Sequence, residues 1–303
     1  MNRRRRLLSG AIVAFAVCRA GGAPHAQTPA AAAAPGPSAV ALDRSAQAEF
    51  LRTAKVIRAR QLSSGVTSPY RLTLDAGGVV HDAAFQSIDE RRNQADFGAK
   101  GKELNFTDSH HFNLAAFTIA GLVGLDGMMP VTVHRTWNGR EGTITWWIDN
   151  AFDERTRLKD KRQPPNALAW SHQMHKMRVF AALVGDSDRN LGNVLITEDW
   201  KLWMIDFTRA FRLWPELQYP ADLSQIDRSL LARLRALDAD QVRATTAHCV
   251  PPLEVSAMMK RRDALVTHFD QLVQEKGAGA VLYGAEPSPP PEPSGQAVRS
   301  HAP

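Results

Sequence analysis

Apolar and polar residues follow two different periods along this chain. Residues 70–74, Tyr70-Arg71-Leu72-Thr73-Leu74, alternate with period two. They turn at Asp75-Ala76-Gly77-Gly78 and return through 79–88, which predicts an antiparallel hairpin. A second strand pair is predicted over 131–135 and 143–148, because Asn138-Gly139 between them is a favoured two-residue turn. Residues 112–123 are almost wholly apolar and read as a buried helix, whereas 91–108 are polar and aperiodic and read as a mobile segment. Residues 45–59 fit either a helix or a strand. Beyond residue 165 the period becomes helical. Residues 170–183 carry Met174, Met177, Phe180 and Ala181 at helical spacing, and two amphipathic helices are predicted over 226–247 and 253–276. Two short strands, 194–197 and 201–205, interrupt the helical part and are joined through Glu198-Asp199-Trp200. The fold class is therefore α+β: a small, mainly antiparallel β lobe with one helix over 45–165, then a compact helical lobe over 166–285.

The ends of the chain differ from this centre. Arg3 to Arg6 followed by the apolar run 7–17 form the basic and apolar regions of a signal peptide over 1–26, with cleavage after Ala23 or Ala26. The apolar run is too short to span a bilayer, so no membrane span is expected in the mature chain. The arginines also permit a twin-arginine route; lipidation of Cys18 is the weaker reading, since Val17 is a poor preceding residue. Residues 27–44 are an Ala/Pro-rich linker and 286–303 a disordered Pro-rich tail. The expected location is outside the cytoplasm, periplasmic or secreted.

Export changes the charge argument. Residues 1–26 hold five arginines and no acidic residue, so losing them lowers the formal charge from +6 to +1. The basic pI belongs to the targeting segment, and no nucleic-acid partner is implied. Cys249 is left without a second cysteine, which excludes an internal disulfide in the mature chain.

The candidate chemistry lies at 185–207. Asp188, Asn193 and Asp206 are separated by 5 and 13 residues, with the short hairpin between the last two. A hairpin there would bring two metal-ligating side chains to one point beside a carboxylate able to take a proton, which is the layout of a phosphoryl-transfer site. Asp186 stands 7 residues before Asn193, so Asp188 fits the base position better. Asp and Asn also cap turns, but both spacings and the hairpin agree with a metal site. His172 and His175 lack a third zinc ligand and read as helix-surface residues. The pairs His110-His111 and His248-Cys249 read as incidental. Trp146, Trp147, Trp200, Trp203 and Trp214 read as core residues rather than a ligand stack.

Asp188-Arg189-Asn190-Leu191-Gly192-Asn193 and Ile205-Asp206-Phe207 resemble the catalytic and metal-binding motifs of the protein-kinase-like superfamily. The likeness is to its compact atypical branch, which includes phosphatidylinositol 3/4-kinases, HipA-like kinases and secretory-pathway kinases. The resemblance implies a two-lobed kinase-like fold that binds ATP or another nucleotide with Mg²⁺ or Mn²⁺. It makes Asp188 the catalytic base and Asn193 and Asp206 the metal ligands. It places the nucleotide at Trp147, Ile148 and Asp149 in the hinge. Ser63, Ser64 and Gly65 fit a short loop over the phosphates, and a plain surface turn fits them at least as well. Two departures stand out. Gln86 occupies the position of the phosphate-binding Lys and Asn113 that of its Glu partner. Replacing both members of an ion pair with neutral groups is tolerated where deleting one is costly, and Gln86 and Asn113 are expected to hydrogen-bond to each other. Lys100, Lys102 and Arg71 are candidates for the missing cation.

Two functions follow from these residues. One is an exported Mg²⁺-dependent phosphotransferase acting on a hydroxyl of a protein or small molecule, with nucleotidyl transfer as a variant. The other is a pseudokinase, a binding module without catalysis, favoured by the missing Lys/Glu pair. Nothing supplies a second metal cluster for a hydrolase.

Overall fold

A computed structural model describes residues 42–62, 69–98 and 101–285. The predicted signal, most of the linker, the tail, the loop residues Ser63, Ser64 and Gly65, and Lys100 lie outside the described residues.

Residues 45–59 are both elements their pattern allowed. Asp43 accepts the Ala46 N–H at 2.8 Å and caps α1 (Arg44–Thr53), and the β-branched and basic run that follows is strand β1 (Lys55–Gln61). Strands β2 (Tyr70–Ala76) and β3 (Val79–Gln86) form the predicted hairpin. The polar stretch expected to be mobile is instead a second hairpin, β4 (Asp89–Asp96) and β5 (Lys102–Ser109), paired from Asp89↔Ser109 to Asp96↔Lys102. Its strands are concealed in the sequence because few of their side chains reach a core, so period-two hydrophobicity never develops. Helix α2 (His111–Leu122) follows, then β6 (Thr132–Trp137) and β7 (Arg140–Trp146), turning at Asn138 with positive φ and Gly139.

The main sheet has strand order β1-β2-β3-β7-β6, antiparallel throughout. Alternation divides it into two faces. Leu72, Leu74, Ala83, Phe85, Val133 and Ile144 pack with Phe50 and Leu51 of α1 in one core. Arg71, Ala84, Gln86, Thr132 and Thr145 point the other way, into the cleft below. Gly142 of β7 lies against this junction. A Cβ there would stand 2.4 Å from the Gln86 carbonyl oxygen, so only glycine allows the sheet to close beside Gln86.

The helical lobe begins with β8 (Phe152–Asp153), α3 (Glu154–Lys159) and α4 (Ala167–Val184), the last capped by Asn166. Strands β9 (Val194–Ile196) and β10 (Leu202–Met204) form the predicted short hairpin. After β11 (Ile226–Asp227) the single helix expected over 226–247 is two, α5 (Arg228–Ala236) and α6 (Ala239–Thr246). Asp238 explains the break: its carboxylate accepts the N–H groups of Asp240 at 2.9 Å and Gln241 at 2.8 Å and starts a new helix. Helix α7 (Pro252–Lys276), α8 (Ala278–Val281) and β12 (Leu282–Tyr283) complete the lobe. Its core gathers Phe180, Leu183, Met204, Phe207, Leu234, Met258, Leu265 and Phe269. No helix among the described residues is long and apolar enough to cross a membrane.

Candidate active site

Helix α4 ends at Gly185, which adopts φ +60; a Cβ there would meet the buried Arg261 guanidinium at 2.6 Å. This fixes the start of the loop 186–193. The Asp186 carboxylate is fully buried. It accepts the Asp188 N–H at 2.9 Å and Arg189 Nε at 2.8 Å. Arg189 in turn donates to the carbonyl oxygens of Asn193 at 2.8 Å, Ile205 at 2.7 Å and Asp206 at 3.2 Å. Asp186 and Arg189 thus form an internal strut that joins the loop to the Asp206 segment, and Arg189 has no capacity left for a substrate.

Asp188 is exposed to the cleft. Its carboxylate Oδ1 accepts only from Asn190 Nδ2 at 3.2 Å, and its own carbonyl accepts Asn193 Nδ2 at 2.9 Å. That bond spends the amide N–H of Asn193 and leaves its Oδ1 as an open acceptor. The β9–β10 register then closes the 13-residue separation: Met204 pairs with Val194, and the Ile205 N–H donates to the Asn193 carbonyl at 3.2 Å. Asp206 follows with φ +58, a conformation that a non-glycine residue holds only where its surroundings impose it.

Three side chains hold that conformation from the sheet lobe and the loop. Asn113 Nδ2 donates to Gln86 Oε1 at 2.6 Å, and Asn113 Oδ1 accepts the Phe207 N–H at 2.7 Å. Gln86 Nε2 reaches Asp206 Oδ1 at 3.2 Å, and Thr208 Oγ1 donates to the same oxygen at 3.2 Å. The expected Gln86–Asn113 hydrogen bond exists, and it extends into the Asp206–Phe207 segment. Burial raises the Asp206 pKa above the usual carboxylate range, against the opposing effect of the Gln86 bond and the Arg189 charge.

The cleft between the lobes holds about 1020 Å³. Ala84, Pro130, Ile148, Leu195 and Met204 give it an apolar end, and Trp147, Ile148 and Asp149 connect the lobes along its rim. The Trp147 N–H is already bonded to the Asp82 carbonyl at 3.2 Å, so a base edge would meet the backbone of Ile148 and Asp149. Arg71 lies in the cleft, its guanidinium 4.2 Å from the Trp147 ring centroid and paired with Asp82 at 2.5 Å. Lys102 is turned to the hairpin tip, 3.9 Å from Asp96, and does not line the cleft.

Among the lining residues absent from the sequence reading, one carboxylate stands next to Asp206. Asp108, at the end of β5, faces the cleft; burial raises its pKa, and the neighbouring Asp206 charge adds to the effect. The segment around it was too polar to show a strand, and an isolated Asp in a polar run carries no signal. Elsewhere, His175 is buried rather than at the surface, and His172 stacks on Tyr283 at 3.9 Å. His110 is also buried, beside His111. Among the described residues no trio of His, Cys, Asp and Glu is arranged to hold a metal; the acidic and amide groups around Asp206 are the available donors.

No protein-family model matches the sequence, and no curated protein matches it. The likeness is structural. A hydra Fam20 structure with a sugar superimposes with a TM-score of 0.60 at 14% identity, covering 79% of this chain and 91% of that one. A Golgi casein kinase superimposes with a TM-score of 0.57 at 12% identity over 78% of this chain and 77% of its own. The same score and identity are found for a Golgi casein kinase with Mn and ADP bound, over 79% and 78%. The chain has the protein-kinase-like fold of the atypical, secretory-pathway kinases.

Proposed function

We propose that this protein is an exported, metal-dependent phosphotransferase that moves a phosphoryl group from a nucleotide to a hydroxyl of a protein or small molecule. The observation that carries the reading is the convergence of Asp188, the open Oδ1 of Asn193 and the Asp206 carboxylate on one wall of an apolar-ended cleft. A scaffold has no chemical need for these three groups together on one cleft wall. The donor set is all oxygen, which suits Mg²⁺ or Mn²⁺, and the fold neighbour with Mn and ADP supports the same cofactors.

In this reading the base lies against Ile148, Leu195 and Met204, and the phosphates extend towards Asp206. Asp188 accepts the proton of the acceptor hydroxyl as its oxygen bonds to phosphorus and the bond to the leaving diphosphate breaks. When bound, the metal neutralises phosphate charge. Gln86 contributes no cation; its role is to hold Asp206 Oδ1 and, through Asn113, the Phe207 N–H. Arg71 and Arg92 are the cations of the sheet lobe that line the cleft, Arg71 paired with Asp82 and Arg92 with Glu90.

The neutral Gln86–Asn113 pair also favours a second reading, a nucleotide-binding module without turnover. Calorimetric titration of ATP with and without Mg²⁺ or Mn²⁺, on wild type and Asp206→Ala, tests the shared premise. Metal-dependent binding that disappears in the variant supports a working nucleotide site; binding unchanged by Asp206→Ala sinks the metal assignment. Transfer from labelled ATP to an acceptor then separates enzyme from module.

A further inference from the structure

Asp108 is half-buried in the cleft wall, and one of its carboxylate oxygens, Oδ1, is enclosed without a hydrogen-bond partner among the described residues. The Ser109 N–H donates to the Thr208 carbonyl at 2.9 Å, which fixes the end of β5 beside the segment that follows Asp206. The Thr208 hydroxyl lies beside Asp108 but donates to Asp206 Oδ1 at 3.2 Å. One hydroxyl carries one proton and cannot serve two carboxylates at once. Arg209 and Arg212, whose charges bear on Asp108, direct their terminal nitrogens to Glu103, Arg209 at 2.5 Å and Arg212 at 3.0 Å. Arg209 Nε is buried without a hydrogen-bond partner among the described residues and makes no bond to Asp108. A buried carboxylate oxygen left unbonded calls for an occupant, and a second carboxylate beside it specifies a positive one.

We infer that Asp108 is a further ligand for the divalent cation held by Asn193 and Asp206, contributed by the sheet lobe through its Oδ1. This rests on the metal-dependent reading above and deepens it. Two carboxylates and one amide oxygen form a harder donor set than Asn193 and Asp206 alone. They come from both lobes, so the ion would add a bond between the sheet lobe and the Asp206 segment to those the hairpin already makes. The negative charge that Asn113 lacks, five residues further on, would then be supplied from the strand instead of the helix.

The test uses Mn²⁺ alone, titrated into the full chain and followed by loss of the free-ion EPR signal, with melting curves of the metal-free proteins. Asp108→Asn is expected to weaken Mn²⁺ binding about 10- to 100-fold, the range seen when a supporting group of a metal site is lost. Its metal-free midpoint should be unchanged or higher, because a like charge beside Asp206 has gone, and Asp108→Glu should recover part of the affinity. Wild-type affinity in Asp108→Asn, with binding lost in Asp206→Asn, would place the ion on Asp206 without Asp108 and overturn the inference alone. A metal-free midpoint that falls in Asp108→Asn and is not restored by Asp108→Glu would also overturn it, making the carboxylate a structural partner of Thr208. No Mn²⁺ binding by wild type would remove both this inference and the metal-dependent reading.

Discussion

Asn113 Nδ2 lies 2.6 Å from Gln86 Oε1, so a neutral amide pair joins β3 to α2 where a charged pair would otherwise stand. The pair is not an isolated patch, because the other oxygen and nitrogen of the two amides reach Phe207 N and Asp206 Oδ1. Asn113→Ala would leave the buried Phe207 N–H and the Gln86 oxygen without partners. Unfolding in urea should show a loss of about 2–4 kcal/mol, the cost of stranding two such groups. A loss below about 0.5 kcal/mol would show that the pair does not brace Asp206.

Asp188 makes few contacts, and its removal should therefore be felt in turnover rather than folding. Asp188→Asn is expected to lower phosphoryl transfer about 10²- to 10⁴-fold, the usual contribution of a positioned base. Nucleotide affinity and melting midpoint should stay at wild-type values. Equal transfer rates in the two proteins would move the base elsewhere.

Ile148 lies on the rim where a base edge would meet the hinge backbone. Ile148→Glu places a charge in that apolar slot without disturbing either core, and ATP binding should weaken at least about tenfold, by the cost of burying an unpaired charge. Titration of ATP against the variant gives the answer directly; unaltered affinity would put the nucleotide elsewhere in the cleft.

His110 supplies a pH dependence of known sign. Burial, with the nearby His111 and His134 charges, depresses its pKa from 6.5 to about 4, and Asp89 only partly opposes this. Between those values the unfolded chain binds a proton that the folded chain refuses, so stability falls as pH drops from about 6.5 to 4. The full effect is about 3 kcal/mol. Denaturant midpoints across this range should lose that slope in His110→Asn; an identical slope in the variant would assign it to other groups.

Glu103 bridges the lobes through Arg209 and the buried Arg212. Glu103→Gln should cost about 2–3 kcal/mol in urea unfolding, less than the 3–5 kcal/mol of a wholly buried pair because Glu103 retains some contact with water. A cost near zero would mean that Thr107 and Ser109 hold the hairpin unaided.

How much of this was legible depends on whether a residue's role is recorded locally. The hairpin 194–204 was visible because both its strands are apolar and short, and with the Arg189 strut it brings Asn193 and the Asp206 segment together. Helices α4 and α7 showed themselves by period, since each buries one face. Hairpin β4–β5 did not, because its partners, Glu254, Arg209 and Arg212, lie more than 100 residues away in sequence and its strands carry charge where a core strand would carry leucine. Asp108 was hidden with it. The split between α5 and α6 was signalled by Asp238, but a capping residue inside a continuous amphipathic pattern is outweighed by the pattern.

Hairpin β4–β5 leaves the sheet lobe, crosses the front of the cleft and ends in bonds to the helical lobe, with Arg91 donating to Glu254 at 3.2 Å and Arg212 donating to the Thr107 carbonyl. A protein latched in this way cannot open by swinging freely about its hinge, since the latch must first unfasten. The hairpin should accordingly be felt more in how long a nucleotide stays than in how tightly it binds, and dissociation rates in Glu103→Gln would register it.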